Sequence, residues 1–211
     1  VAKTFRILRA FIRSRFKPLP AVLAHMVTYR CNMSCFFCDY WRRRDYELNL
    51  GEIKALLSEA ADSGIAVYTV TGGEPLLRRD LGEILQYSDD CCLYNFLLTN
   101  GTKLRGKKLR VDFLSISLDT LSRERFYRIR GLDALKVVVD AVKWAAENYR
   151  TCINVVLTDE NFQEVSDLIE FADSVGVEIA FEPVSDYFEG CAKISEENLR
   201  IAASRILELK K

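Results

Sequence analysis

Three cysteines, Cys31, Cys35 and Cys38, stand at i, i+4 and i+7 in the octapeptide Cys31-Asn32-Met33-Ser34-Cys35-Phe36-Phe37-Cys38. Three thiolates on one short loop can ligate three irons of a 4Fe–4S cube and leave the fourth iron without a protein ligand. A catalytic metal site needs such an open position, whereas a structural site is closed by protein donors. Two plainer readings compete. The same spacing places the side chains on one face of a helix, where free cysteines are often simply buried. Zinc is the other rival, but it usually takes four ligands from paired short spacings. Here the only histidine is His25, and the remaining cysteines are all more than fifty residues away.

What separates these readings lies downstream. A β-like run, Ala66-Val67-Tyr68-Thr69-Val70-Thr71, empties into Gly72-Gly73-Glu74-Pro75. Gly72 and Gly73 lack a Cβ and let the backbone approach a ligand closely. Their carbonyls and the Glu74 carboxylate can accept hydrogen bonds from an ammonium group, and Pro75 fixes the exit into the next helix. Alone, this is a strand-to-helix turn. With the cysteine triplet ahead of it, the cluster reading is the one that uses both motifs.

These residues need a frame. At 211 residues and 49% hydrophobic, the chain can bury a substantial core. After residue 20, strand-like and helix-like segments alternate. Strands are expected at Val22–Tyr29, Ala66–Thr71, Leu93–Thr99, Phe113–Leu118, Ile153–Thr158 and Val177–Phe181. Helices are expected at 51–63, 79–87, 124–130, 132–148, 162–175 and 196–210, which reads as six β/α units. Apolar strands covered by helices imply an α/β fold with a parallel sheet. Right-handed crossovers curl such a series into a partial (β/α)6 TIM-like barrel. Ligands then bind at the C-terminal ends of the strands, where the cysteine loop, the Gly-Gly turn, Thr99-Asn100-Gly101 and Ser117-Leu118-Asp119 all fall. The expected division is a basic amphipathic helix over 1–18, a core barrel over 19–183, and a C-terminal loop and helix over 184–211.

Taken together, the cysteine triplet and the Gly-Gly-Glu-Pro turn resemble the radical S-adenosylmethionine (radical SAM) superfamily. The resemblance covers about residues 20–185. It implies a 4Fe–4S cluster on Cys31, Cys35 and Cys38, with the amino and carboxylate groups of SAM on the fourth iron. Reduction then yields methionine and a 5′-deoxyadenosyl radical. Phe37 matches an aromatic position beside the adenine. The stretch Ile116-Ser117-Leu118-Asp119-Thr120, followed by Arg128-Ile129-Arg130-Gly131, resembles the branch holding molybdopterin-precursor cyclases and peptide-modifying members. By that resemblance Ser117 and Arg130 contact the ribose and carboxylate of SAM; the planar fork of Arg130 suits a carboxylate. Asn154, Thr99 and Asn100 match positions near the ligand. The cyclases also carry a second cysteine triplet and a basic nucleotide-binding tail, neither of which stands in this sequence, so the chain reads as a minimal or truncated member.

Other features carry less. Cys191 follows the sixth strand and is a candidate radical-relay thiol or distal cluster ligand, set against a loop cysteine without a role. Tyr187 and Glu182 share that region as candidate substrate contacts. Cys91, Cys92 and Cys152 read as core or incidental, and His25 as a satisfied interior histidine. Formal net charge is zero, so bulk electrostatics name no partner. Residues 1–44, however, carry ten cations against Asp39 alone. The basic run from Phe5 to Arg13 could lie on an anionic membrane surface, but the favoured expectation is that Leu8, Ile12 and Phe16 dock on the barrel. No nucleic-acid motif accompanies it. With no secretory signal and an odd cysteine count, the expected setting is cytoplasmic, with peripheral membrane contact left open.

The expected activity is hydrogen abstraction from a small-molecule, lipid or peptide substrate, driven by an external low-potential donor of ferredoxin or flavodoxin type. The alternative is a non-catalytic iron–sulfur or SAM-binding module.

Overall fold

The computed structural model describes residues 2–16, 19–184 and 193–209. Six strands form one sheet: β1 (Val22–Thr28), β2 (Val67–Gly72), β3 (Tyr94–Thr99), β4 (Phe113–Ser117), β5 (Thr151–Leu157) and β6 (Glu178–Pro183). They lie in sequence order with every neighbouring pair parallel. The sheet is open between β6 and β1, as expected of a partial barrel. The buried strand residues Tyr68, Val70, Leu97, Leu114, Ile116, Ile153 and Val155 supply its core.

Helices cover the outer face because each carries one apolar stripe. In α2 (Leu50–Asp62) Ile53, Leu57 and Ala60 are buried, and Asn49 with Glu52 closes a reciprocal capping box at its start. Next come α3 (Leu81–Asp90), α4 (Arg123–Arg130), α5 (Leu135–Asn148), α6 (Val165–Val175) and α7 (Glu196–Leu209). Val138, Ala141, Val142 and Ala145 form the stripe of α5. The expected boundaries lie within a few residues of these.

One unit departs from a regular β/α repeat. No helix links β3 to β4; residues 101–106 run through turns instead, with Gly101 and Gly106 at positive φ. Two left-handed residues so close together break any helix, and only Leu104 plugs the core from this segment.

The second departure is α1 (Ala2–Ser14), which docks by its polar side. Lys3 Nζ bridges Asp89 (2.5 Å) and Asp112 (2.6 Å). Arg6 donates to the carbonyls of Ile65 (2.8 Å) and Ala61, and Arg13 to those of Ser63 and Gly64 (both 2.9 Å). Ala10, between them, is buried. Leu8, Ile12 and Phe16, expected to pack on the barrel, are instead exposed at 54%, 50% and 83%. The reason is the surface beneath: these partners sit where α2 ends and where β2 to β4 begin, a floor of carbonyls and carboxylates that calls for donors.

Candidate metal centre at the mouth of the sheet

Every strand points its C-terminal end toward one mouth, and the cysteine loop leaves β1 there. Glu47 fixes its entry, accepting from Thr28 Oγ1 (2.7 Å) and the Tyr29 N–H (2.9 Å). The end of α4 holds the loop's middle: Ser34 N donates to the Arg130 carbonyl and Phe36 N to that of Ile129, both at 3.0 Å. Gly131 closes α4 in the left-handed conformation at φ 69°, and a Cβ there would overlap the side chain of Ser34. Asn100 completes the clamp, with Nδ2 on Asn32 Oδ1 (2.9 Å) and Oδ1 accepting from the Thr102 N–H and hydroxyl.

The three cysteines are free thiols lining one cleft with Phe37, Gly72, Gly73, Thr99, Asn100, Ser117 and Arg130. The structure thus brings together most of the residues expected from the sequence. Burial pushes the Cys31 thiol up to about 11 and raises Cys38 as well, so loading metal must displace protons. Among the described residues no three His, Cys, Asp or Glu side chains converge as ligands of one ion. That is compatible with a cube, in which each cysteine takes a different iron.

The Gly-Gly turn answers first to the chain. A Cβ on Gly72, at φ 131°, would overlap the Thr28 carbonyl. On Gly73 it would strike the carbonyls of Arg30 and Tyr29, directly ahead of Cys31. The Gly73 N–H donates to Thr28 O and the Glu74 N–H to Arg30 O, both at 2.8 Å. Close approach here is therefore between β1 and β2. A side chain at 73 would displace the cysteine loop itself, and not only a ligand in the cleft.

Glu74 is wholly buried, which pushes its carboxyl up while three donors pull it back. Oε1 accepts from Leu76 N (2.9 Å) and Thr99 Oγ1 (2.7 Å), and Oε2 from Asn100 N (2.7 Å). About one lone pair remains of a carboxylate's four. Pro75, also buried, opens the turn Pro75–Leu77.

Arg130 and Asp119 make a buried ion pair, Nη2 to Oδ2 at 2.6 Å. Burial alone would lower the guanidinium's pKa, but Asp119 and the Cys35 sulfur more than offset it and hold Arg130 charged. Nη1 reaches Cys35 Sγ at 3.5 Å, and the guanidinium lies 5.3 Å from the Phe37 ring centroid. Nη2 is met by Asp119 Oδ2, which leaves Arg130 Nε as the buried donor without a partner. A buried guanidinium with an unmet Nε–H in a thiol-lined cleft is what an incoming carboxylate would satisfy. The residues present fit both groups the resemblance implies.

Asn154 lies in β5, in register with Ser117 but outside this lining. Cys191 and Tyr187 fall outside the described residues, and Glu182 is exposed on β6. Cys152 is buried, Cys91 half-buried and Cys92 exposed, all apart from the triplet. His25 Nδ1 meets Tyr68 OH at 2.8 Å, a satisfied interior contact.

Sequence reasoning missed Arg78. It donates to the Val27 carbonyl (2.7 Å), the Leu48 carbonyl (2.8 Å) and Asp80, tying the end of β1 to the turn after β2. Its only signal was position, three residues past Pro75. Met33, Tyr40, Trp41, Thr71 and Leu98 also line the cleft unforeseen.

Known proteins are similar to this chain in sequence and in fold. The sequence profile described as Radical SAM superfamily matches residues 26–172. A protein named probable GTP 3′,8-cyclase from Sulfurisphaera tokodaii is 33% identical over 162 residues, 72% of this chain and 52% of the relative. One of the same name from Metallosphaera sedula is 30% identical over 198 residues, 83% and 62% respectively. The chain thus spans between about half and three-fifths of these relatives' length. Among solved structures, Streptococcus suis SuiB bound to S-adenosylmethionine superposes with a TM-score of 0.76 at 19% identity, covering 95% of this chain and 51% of SuiB. Coproporphyrinogen III oxidase (HemN) from Escherichia coli gives 0.57 at 13% identity, covering 96% and 55%. At such identities these structures speak for the fold alone.

Proposed function

The chain belongs to the radical SAM superfamily, and we propose that its mouth cleaves SAM reductively to abstract hydrogen from a substrate still to be identified. A 4Fe–4S cluster and SAM are the cofactors of this family; together, when reduced, they supply a 5′-deoxyadenosyl radical. The observation that carries the reading is convergence: three free thiols, the Gly-Gly turn and a buried arginine with an unmet donor share one cleft.

In this reading Cys31, Cys35 and Cys38 each take one iron. The Gly72 and Gly73 carbonyls, with the remaining lone pair of Glu74, accept the SAM ammonium. Arg130 receives the carboxylate, Ser117 the ribose and Phe37 the adenine face. Pro75, Thr99 and Asn100 hold the turn and the cysteine loop in register, and Asn154 stands further out on the substrate side. The half-buried walls exclude bulk water from a reactive centre. Each cleavage consumes one electron, which an external ferredoxin- or flavodoxin-type donor would deliver in a reducing, cytoplasmic setting.

The relatives' names point to two substrate classes, GTP for the cyclases and a precursor peptide for SuiB. Anaerobically reconstituted protein should be brown and hold about four irons. With SAM and a strong reductant it should release 5′-deoxyadenosine. Colourless protein with one stoichiometric zinc would refute the cluster. SAM binding without cleavage under several reductants would favour a non-catalytic module.

A further inference from the structure

The base of the sheet carries a surface that SAM chemistry does not use. Because α1 docks through Lys3, Arg6, Ala10 and Arg13, its opposite stripe faces water. Phe5, Leu8, Phe11, Ile12 and Phe16 are exposed at 67%, 54%, 65%, 50% and 83%. Four large apolar side chains on one short helix, with Phe16 in the turn that follows it, are exposed together, as at an interaction surface.

Two features identify the occupant. The helix holds no acid, and among the described residues Arg9 and Arg15 have no carboxylate partner. Arg9 is exposed at the edge of the apolar stripe, beside the groove against the end of α2, and Arg15 is exposed in the turn after the helix, so both stand within reach of whatever covers the phenylalanines. A protein partner would have to bury two unpaired guanidinium groups beside aromatics. An anionic bilayer takes the aromatics at its acyl boundary and leaves the arginines among headgroup phosphates.

We infer that α1 is an interfacial helix that seats this protein on an anionic lipid surface, with the mouth turned away from the bilayer. The orientation follows from topology. The contacts of α1 all lie at the starts of β2 to β4, whereas the cysteine loop and the Gly-Gly turn lie at the strand ends. The membrane is thus a place of residence, and substrate enters from the aqueous side. No helix among the described residues is long and apolar enough to cross a membrane, so attachment is peripheral.

The test is flotation of the intact holoprotein with phosphatidylcholine vesicles, with and without phosphatidylserine, at low and high salt. Binding should require phosphatidylserine and fall with salt. Arg9→Gln with Arg15→Gln should weaken it about thirtyfold, from about 1 kcal/mol per cation near such a surface. Leu8→Glu with Phe11→Glu should abolish it and leave the thermal midpoint unchanged, since both side chains already face water. SAM affinity should be equal for free and vesicle-bound protein. Failure to float, or equal binding to neutral vesicles, overturns the inference. So does a concentration-dependent dimer, in sedimentation without lipid, that Leu8→Glu dissolves; the stripe would then belong to a second copy. Loss of SAM binding on vesicles overturns the orientation.

Discussion

The mouth and the base of this sheet both rely on arginines reaching across the chain, yet in opposite physical regimes. At the mouth, Arg130 and Asp119 are buried against each other and Glu74 is wholly enclosed by donors from β3 and its own turn. At the base, Lys3, Arg6 and Arg13 make their contacts half in water. A buried charge that loses its partner is left uncompensated, whereas a solvated one is simply rehydrated. The mouth is therefore a rigid, mutually dependent frame, and the base an attachment that can be edited piece by piece.

Substitutions should expose that contrast. Gly73→Val drives a side chain into the carbonyls of Tyr29 and Arg30, so the reconstituted variant should lose its iron as well as SAM cleavage. Iron analysis beside circular dichroism checks this; full iron content would mean the turn yields more easily than its packing implies. Arg130→Met leaves Asp119 buried without a counter-charge, and urea unfolding should report a loss of about 3–5 kcal/mol. A loss below about 1 kcal/mol would place that pair in the same class as the surface contacts of the base.

Arg6→Ala gives the matching measurement below. It removes donors to Ile65 and Ala61 that water can replace, and the expected cost is about 1 kcal/mol or less, with iron content unchanged. The smallest effect concerns pH. Burial, then the Arg78 charge, holds His25 below its ordinary value. The unfolded chain therefore takes up a proton that the folded one resists, and stability should fall as pH drops below about 6.5. The slope is at most about 1.4 kcal/mol per pH unit. As the only histidine, His25 makes the assignment direct: His25→Asn should remove that limb of the stability–pH curve.

The two ends also differ in how legible they were. Strand and helix limits followed from apolar runs, and the cysteine triplet and Gly-Gly-Glu-Pro turn are local spacings that a sequence displays openly. The role of Glu74 as an anchor for Thr99 and Asn100, the support of Arg78 beneath β1, and the grip of α4 on Ser34 and Phe36 are pairings across 25 to 96 residues. No local pattern encodes them. The orientation of α1 was read the wrong way round because periodicity defines two faces without saying which one docks. The missing fact was the floor of carbonyls at the base, which exists only once the helices have been laid on the sheet.

The central claim is that the mouth holds three irons by protein and leaves one for SAM. The most direct measurement is electron paramagnetic resonance of the reduced cluster, with electron–nuclear double resonance on SAM carrying ¹⁵N in its amino group. The account predicts a spectrum altered by SAM and a ¹⁵N coupling that marks direct ligation to iron. A normal reduced cluster whose spectrum is unchanged by saturating SAM, with no nitrogen coupling, would contradict it.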